Sequence, residues 1–236
     1  MQLSKLEDLA YRELTGNNLL IFKIKELCLL LGISKVKAYN LLKSLKKKQI
    51  VKKIGKGFFA VKGADDFVIA TSIYFPSYIS FWSALSYYKF SDNLVQKIFL
   101  ATSKYTKDIG NFKYVTLSKQ RFFGYISIGK ITIAEKEKAI VDSLLFPRYS
   151  GGIKEIIKCM KNGMDELDIE KVIEYSIKVK SKAVLKRLGF ILEKIGYTGR
   201  GIKKIQNKIG RGYSLLDPGL NRRNNLNKRW LLDINY

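Results

Sequence analysis

The turn Leu31-Gly32-Ile33-Ser34 limits what the start of this chain can fold into. Upstream of it, Ile24, Leu27, Cys28 and Leu31 recur at the spacing of one helix face. Gly32 stops that helix, because glycine enters the left-handed region past a helix end without steric cost. Ser34 is placed to cap the next helix, SKVKAYNLLKSLKKK, by offering its hydroxyl to first-turn amides that lack a partner. An earlier helix carries Leu3, Leu6 and Ala10 on one face and breaks at Thr15-Gly16-Asn17-Asn18. Two short apolar runs, Ile50–Ile54 and Phe58–Val61, flank Gly55-Lys56-Gly57 and read as a hairpin. Three helices followed by a hairpin predict a winged helix-turn-helix over residues 1–63.

In the third helix, Ala38, Leu42 and Leu45 are expected to point inward, leaving Lys35, Val36, Tyr39, Asn40, Lys43 and Lys47 outside. Those side chains suit the major groove of duplex DNA. Asn40 can pair bidentately with an adenine edge, and Ser34 and Tyr39 can bond a phosphate or a base. Lys35, Lys37 and Lys43 can pair with phosphates, and Lys52, Lys53 and Lys56 on the hairpin can grip the adjacent backbone. The expected DNA-contacting set is therefore Ser34, Lys35, Lys37, Tyr39, Asn40, Lys43, Lys47, Lys52, Lys53 and Lys56. A solvated lysine face, or a module that binds protein alone, is the competing account.

The charge distribution agrees with a polyanionic partner. The net charge of +24 divides into +10 over residues 1–63, +2 over 64–175 and +12 over 176–236. Basic ends around a nearly neutral middle are what particular surfaces meeting nucleic acid would produce, whereas generic surface lysines would spread evenly. Histidine is absent, which removes Ser-His-Asp and Cys-His catalysis and imidazole zinc sites. The two cysteines, Cys28 and Cys159, lie far apart without metal-ligand spacing. Cys28 falls on an apolar helix face, so a free thiol in a reduced, cytoplasmic protein is expected. The chain has neither a signal peptide's apolar block nor a membrane-spanning apolar run, and no membrane partner is expected.

The remainder, 64–236, follows the linker-like Gly63-Ala64-Asp65-Asp66 and is expected to be a mixed α/β domain with a small sheet and several helices. The chain as a whole is thus expected to be α+β. Helices are predicted over Ser77–Tyr88, Ala134–Phe146, Ile153–Met160, Ile169–Ile177, Lys182–Ile195 and Ile202–Ile209. Strands are predicted over Lys97–Ala101, Phe112–Leu117, Tyr125–Ile128 and Lys130–Ile133, with Trp230–Ile234 returning as an edge strand.

Chemistry in this domain has thin support. On a helix, Glu135, Lys138 and Asp142 share a face, and a metal-dependent nuclease would use the two acids as magnesium ligands. No Asp/Glu-x-Lys triplet accompanies them, and Lys138 with Asp142 at i, i+4 reads as a helix-surface ion pair. GRGIKKIQNKIGRG lacks the spacing of a phosphate loop. No catalytic residue, cofactor or metal is assigned, and a non-enzymatic protein is expected. The basic stretch 200–229 could make a second backbone contact or meet an acidic or RNA-bearing partner. An RNA-binding regulator would stack bases on Tyr87, Tyr88, Phe122 and Phe123, residues that also suit a core.

The segments PSYISFWSALSYYKFSDNLVQKIFLATSK, GNFKYVTLSKQRFFGY, ITIAEKEKAIVD, LKRLGFILEKIG and LLDPGLNRRNNLNKRW, in that order, resemble the AbiEi antitoxin family of type IV toxin–antitoxin systems. With the winged helix in front, the resemblance spans nearly the whole chain. It implies an autorepressor that binds inverted repeats in its own promoter, and an antitoxin domain counteracting a nucleotidyltransferase toxin in abortive infection. In that family, protection is often exerted without a stable complex with the toxin. The resemblance places DNA contacts on the third helix and hairpin, and the antitoxin domain around Ser80–Tyr88 and Glu135–Asp142. The lysine-rich tail departs from the family pattern.

Overall fold

The structure, a computed structural model, describes residues 2–55, 57–93 and 96–236. It is an α+β protein whose chain divides into two compact units. The first comprises Met1–Phe75 with Asp108–Phe112, and the second comprises Pro76–Lys107 with Lys113–Tyr236.

Unit 1 opens with α1 (Lys5–Gly16), held at its start by a capping box in which the Ser4 amide donates to Glu7 Oε2 at 2.6 Å. Strand β1 (Ile21–Lys23) leads directly into α2 (Ile24–Leu31). Gly32, at φ 62°, ends α2 in the left-handed region, and the Ser34 hydroxyl accepts from the Lys37 amide at 3.3 Å to start α3 (Lys35–Lys47). Strands β2 (Val51–Gly55) and β3 (Phe58–Val61) follow, and the antiparallel sheet runs in the order β1-β3-β2. Leu14, Phe22, Leu27, Leu42, Leu45 and Phe59 fill one core, with Phe22 stacked on Phe59 at 5.9 Å. The three residues of β1 were too few to show alternation in the sequence.

The linker reading at 63–66 needs correction. Asp65 caps a further helix, α4 (Asp66–Ile73), accepting from the amides of Phe67 and Val68. Asp66 pairs with Lys52 of β2 at 2.6 Å, which holds the start of α4 to the hairpin. The units divide after Phe75 rather than after Gly63. The buried residues of α4, Ile69, Ala70, Thr71 and Ile73, are nearly contiguous, so they gave no helical stripe to read.

A six-stranded sheet consists of β4 (Ser77–Ile79), β5 (Ile98–Thr102), β6 (Lys107–Ile109), β7 (Phe112–Thr116), β8 (Tyr125–Ile128) and β9 (Ile131–Ala134), ordered β6-β7-β5-β4-β9-β8, and all of it except Asp108, Ile109 and Phe112 belongs to unit 2. The helix expected over Ser77–Tyr88 is split. Ser77–Ile79 pairs antiparallel with β5 and parallel with β9, and α5 (Phe81–Tyr87) begins only after Ser80. Helices α6 (Lys136–Leu145), α7 (Ile153–Asn162), α8 (Ile169–Lys178), α9 (Lys182–Lys194) and α10 (Gly201–Gln206) complete the unit. Helix α6 packs against α5, α7, α8 and α9.

The C-terminal segment also differs from expectation. Strand β12 (Leu232–Asp233) is central, parallel to β10 (Ser214–Leu215) and antiparallel to β11 (Leu226–Asn227). Trp230 is fully buried, and a Cβ at Gly189 of α9 would come within 2.1 Å of its ring. Only glycine admits the indole so close to the helix. Among the described residues, no helix is long and apolar enough to cross a membrane.

Candidate nucleic-acid interface

Helix α3 buries Ala38, Leu41, Leu42 and Leu45 and turns its other side to solvent. With 3.6 residues per turn, Val36, Asn40, Lys43 and Lys47 lie directly opposite that buried stripe. Lys35 and Tyr39 flank them on one side and Lys37 on the other. All seven are exposed, Val36 at 72 % and Tyr39 at 55 %. An apolar side chain that prominent suits a thymine methyl. Among the described residues, Lys35, Lys37, Asn40, Lys43 and Lys47 have no side-chain partner. Their donors therefore meet water only.

The position of α3 is fixed from behind. Glu7 of α1 is buried, accepts from the Ser44 hydroxyl at 2.5 Å and pairs with Lys48 at 2.6 Å. The Lys48 ammonium, with the Ser44 and Ser4 hydrogen bonds, holds the Glu7 carboxyl down at about 2. One carboxylate thereby ties the first helix to the end of the third. Sequence reasoning passed over Glu7, although its place at the third helical position after Ser4 marked it as a capping residue.

The hairpin lysines separate into different situations. Lys53 is exposed and unpaired among the described residues, whereas Lys52 is engaged with Asp66. Lys56 lies outside the described residues. Lys46 and Lys62, which the sequence reading did not single out, join Lys52 and Lys53 around a cleft of about 420 Å³. Lys62 arrives there because its amide donates to the Ile50 carbonyl at 2.7 Å, closing the far end of the hairpin.

Unit 2 carries its own basic ground. Arg200, Lys203, Lys208 and Arg211 are exposed and unpaired among the described residues. Lys204 approaches Glu174 at 4.0 Å, and Arg229 pairs with Glu193 at 2.7 Å. Arg200, Lys203 and Arg229 line a cleft of about 530 Å³ with Tyr197, Thr198 and Gln206.

The carboxylates weighed as metal ligands are committed elsewhere. The Lys138–Asp142 pair forms, but it is fully buried rather than at the helix surface, because β4 covers that side of α6. Asp142 also accepts from Tyr78 at 3.0 Å and Ser80 at 2.8 Å, and Lys138 lies 4.9 Å from the Phe123 ring centre. Burial is the main cause that pulls the Lys138 ammonium down and pushes the Tyr78 hydroxyl up. Glu135 accepts from the Tyr175 hydroxyl at 2.5 Å and lies 3.3 Å from Lys171. Among the described residues, no group of three or more His, Cys, Asp or Glu side chains could hold a metal ion. Phe122 and Phe123 are half-buried against Tyr78, Tyr125 and Tyr175, while Tyr87 is exposed beside Tyr88. Cys159 is buried, and desolvation pushes its thiol up to about 12.

No protein-family model matches the chain, and no curated protein matches it. Its fold is similar to that of the RV2827C protein from Mycobacterium tuberculosis, known from a crystal structure. The two agree with a TM-score of 0.75 at 11 % sequence identity, over 98 % of this chain and 92 % of that one.

Proposed function

We propose that this protein is a sequence-specific DNA-binding repressor whose winged helix-turn-helix is formed by α1, α2, α3 and the β2–β3 hairpin. The observation that carries this reading is the outward face of α3. It presents Lys35, Lys37, Lys43 and Lys47 around Asn40 and Val36, with no acid among the described residues paired to any of them. A purely solvated face has no reason to place an adenine-reading amide and an exposed valine at the centre of four cations. Docked in a major groove, Asn40 and Val36 meet base edges while the lysines and Ser34 meet phosphates. Lys53 of the hairpin reaches the neighbouring backbone.

Unit 2 is assigned the antitoxin role of the AbiEi family, acting in the cytoplasm against a nucleotidyltransferase toxin. The sequence resemblance supports that assignment, and we give the unit no catalytic residue. Titrating the protein against its own promoter and a scrambled duplex at moderate salt tests the repressor. Equal affinity for the two would remove it. Co-expression with a nucleotidyltransferase from a neighbouring reading frame tests the antitoxin, which should restore growth.

A further inference from the structure

The geometry points to β8 as a self-pairing edge: two copies of this chain join through antiparallel β8 strands. Strand β8 is the last in its sheet and pairs with β9 alone. Ile128 and Ile131 close a two-residue turn at Gly129-Lys130, with Gly129 at φ 58°. In an antiparallel ladder that closing pair is hydrogen-bonded, and bonded and unbonded pairs then alternate. Ile126 and Ile128 therefore spend their amides and carbonyls on β9. The Glu135 amide donates to the Gly124 carbonyl at 3.0 Å, which extends the same parity. Tyr125 and Ser127 must point their backbone groups away from the sheet, and no group of the described residues takes them.

Those four groups are self-complementary. Pairing Tyr125 with Ser127 of a second copy forms two hydrogen bonds, and the symmetric pair forms two more. Ile126 then faces its own copy on the two-fold axis, as an unbonded pair whose Cα atoms lie about 4.5 Å apart. Tyr125, Ile126 and Ile128 are 43 %, 41 % and 38 % exposed, so apolar surface is available on both faces of the strand. Charge selects this occupant. Of the net +24, residues 64–175 carry only +2, and within them β8 reads Tyr-Ile-Ser-Ile and carries no charge. An unblunted neutral edge lets like molecules approach without opposing charges. Four residues form a small contact, below the roughly 1,200 Å² of a stable interface, so the pairing is weak in dilute solution. A two-fold pair matches a two-fold-symmetric operator. The inference does not rest on the DNA reading, because it is measured without DNA.

Disulfide trapping tests it in a Cys28→Ser background. Ile126→Cys places two thiols across the axis, within the span a disulfide bridges, and should give a covalent dimer on mild oxidation. Ile128→Cys, which faces Gly124 of the second copy, should trap poorly. Adding Ser127→Pro to Ile126→Cys removes one outward amide per copy without touching the bonds to β9, and should slow trapping roughly tenfold or more. Failure of Ile126→Cys to trap, or equal trapping by Ile128→Cys, overturns the pairing. Unchanged trapping with Ser127→Pro overturns the register.

Discussion

Helices α3 and α6 both carry lysines within an amphipathic pattern, and they dispose of the charge in opposite ways. On α3 the lysines are exposed and have no side-chain partner among the described residues. On α6, Lys138 is sealed under β4 with the Asp142 carboxylate, the Tyr78 phenol and the Phe123 ring around it. The difference shows that the helix itself does not decide what a lysine does. What covers that side of the helix decides, and the covering strand lies about 60 residues away in sequence. An uncovered charge is available to a partner, whereas a covered one is committed to the fold.

The largest expected effect tests the covered side. Asp142→Ala leaves the Lys138 ammonium buried and unpaired, which should cost about 3–5 kcal/mol of stability in urea unfolding. Lys138→Met combined with Asp142→Leu should recover part of that loss, because no buried charge remains. Equal stability of Asp142→Ala and the parent would place the pair in water and erase the contrast.

On α3 the opposite pattern is expected. Alanine at Lys35, Asn40 and Lys43 together should weaken promoter binding by roughly a hundredfold, through one lost base contact and two lost phosphate contacts. Unfolding should move by no more than about 0.5 kcal/mol for each substitution, because all three side chains are exposed and unpaired. A loss of stability as large as that of Asp142→Ala would turn this face into a structural one.

Glu7 links the two cases, being a covered acid that positions the uncovered helix. Its folded carboxyl sits at about 2, below the ordinary 4.5, so its stabilising contribution is complete above pH 4.5. That contribution drains away as the pH falls towards 2. Acid titration of unfolding should show the dependence in the parent, and Glu7→Gln should flatten it over that window.

Much of unit 1 was legible because its signals are local. Gly32 and Ser34 bracket α3 by backbone and capping chemistry that acts within a few residues, and the buried Ala38, Leu42 and Leu45 follow from one period. What escaped depends on distant partners or lacks a pattern. Ser77–Ile79 became a strand because β5 and β9 supply its hydrogen bonds, which overrides a run that could otherwise be helical. The spacing of Lys138 and Asp142 is the same for an exposed and a buried pair, so only Tyr78 and Ser80 could distinguish them. Lys46 and Lys62 went unnoticed because the strand pairing, not the sequence, brings them to one cleft.

The smallest expected effect separates two adjacent lysines. Lys53 and Lys52 look equivalent in sequence, yet Lys52 is held by Asp66 at 2.6 Å while Lys53 is unpaired among the described residues. A lysine that releases a counterion on binding adds about 0.9 to the slope of log affinity against log salt. Lys53→Ala should therefore flatten that slope by about one unit and weaken specific and scrambled duplexes alike. Lys52→Ala should leave the slope nearly unchanged, because its charge already has a carboxylate counterpart. Lys52→Ala flattening the slope as much as Lys53→Ala would mean that the Asp66 pair opens on DNA, and that exposure, rather than pairing in the free protein, decides which hairpin lysines reach the backbone.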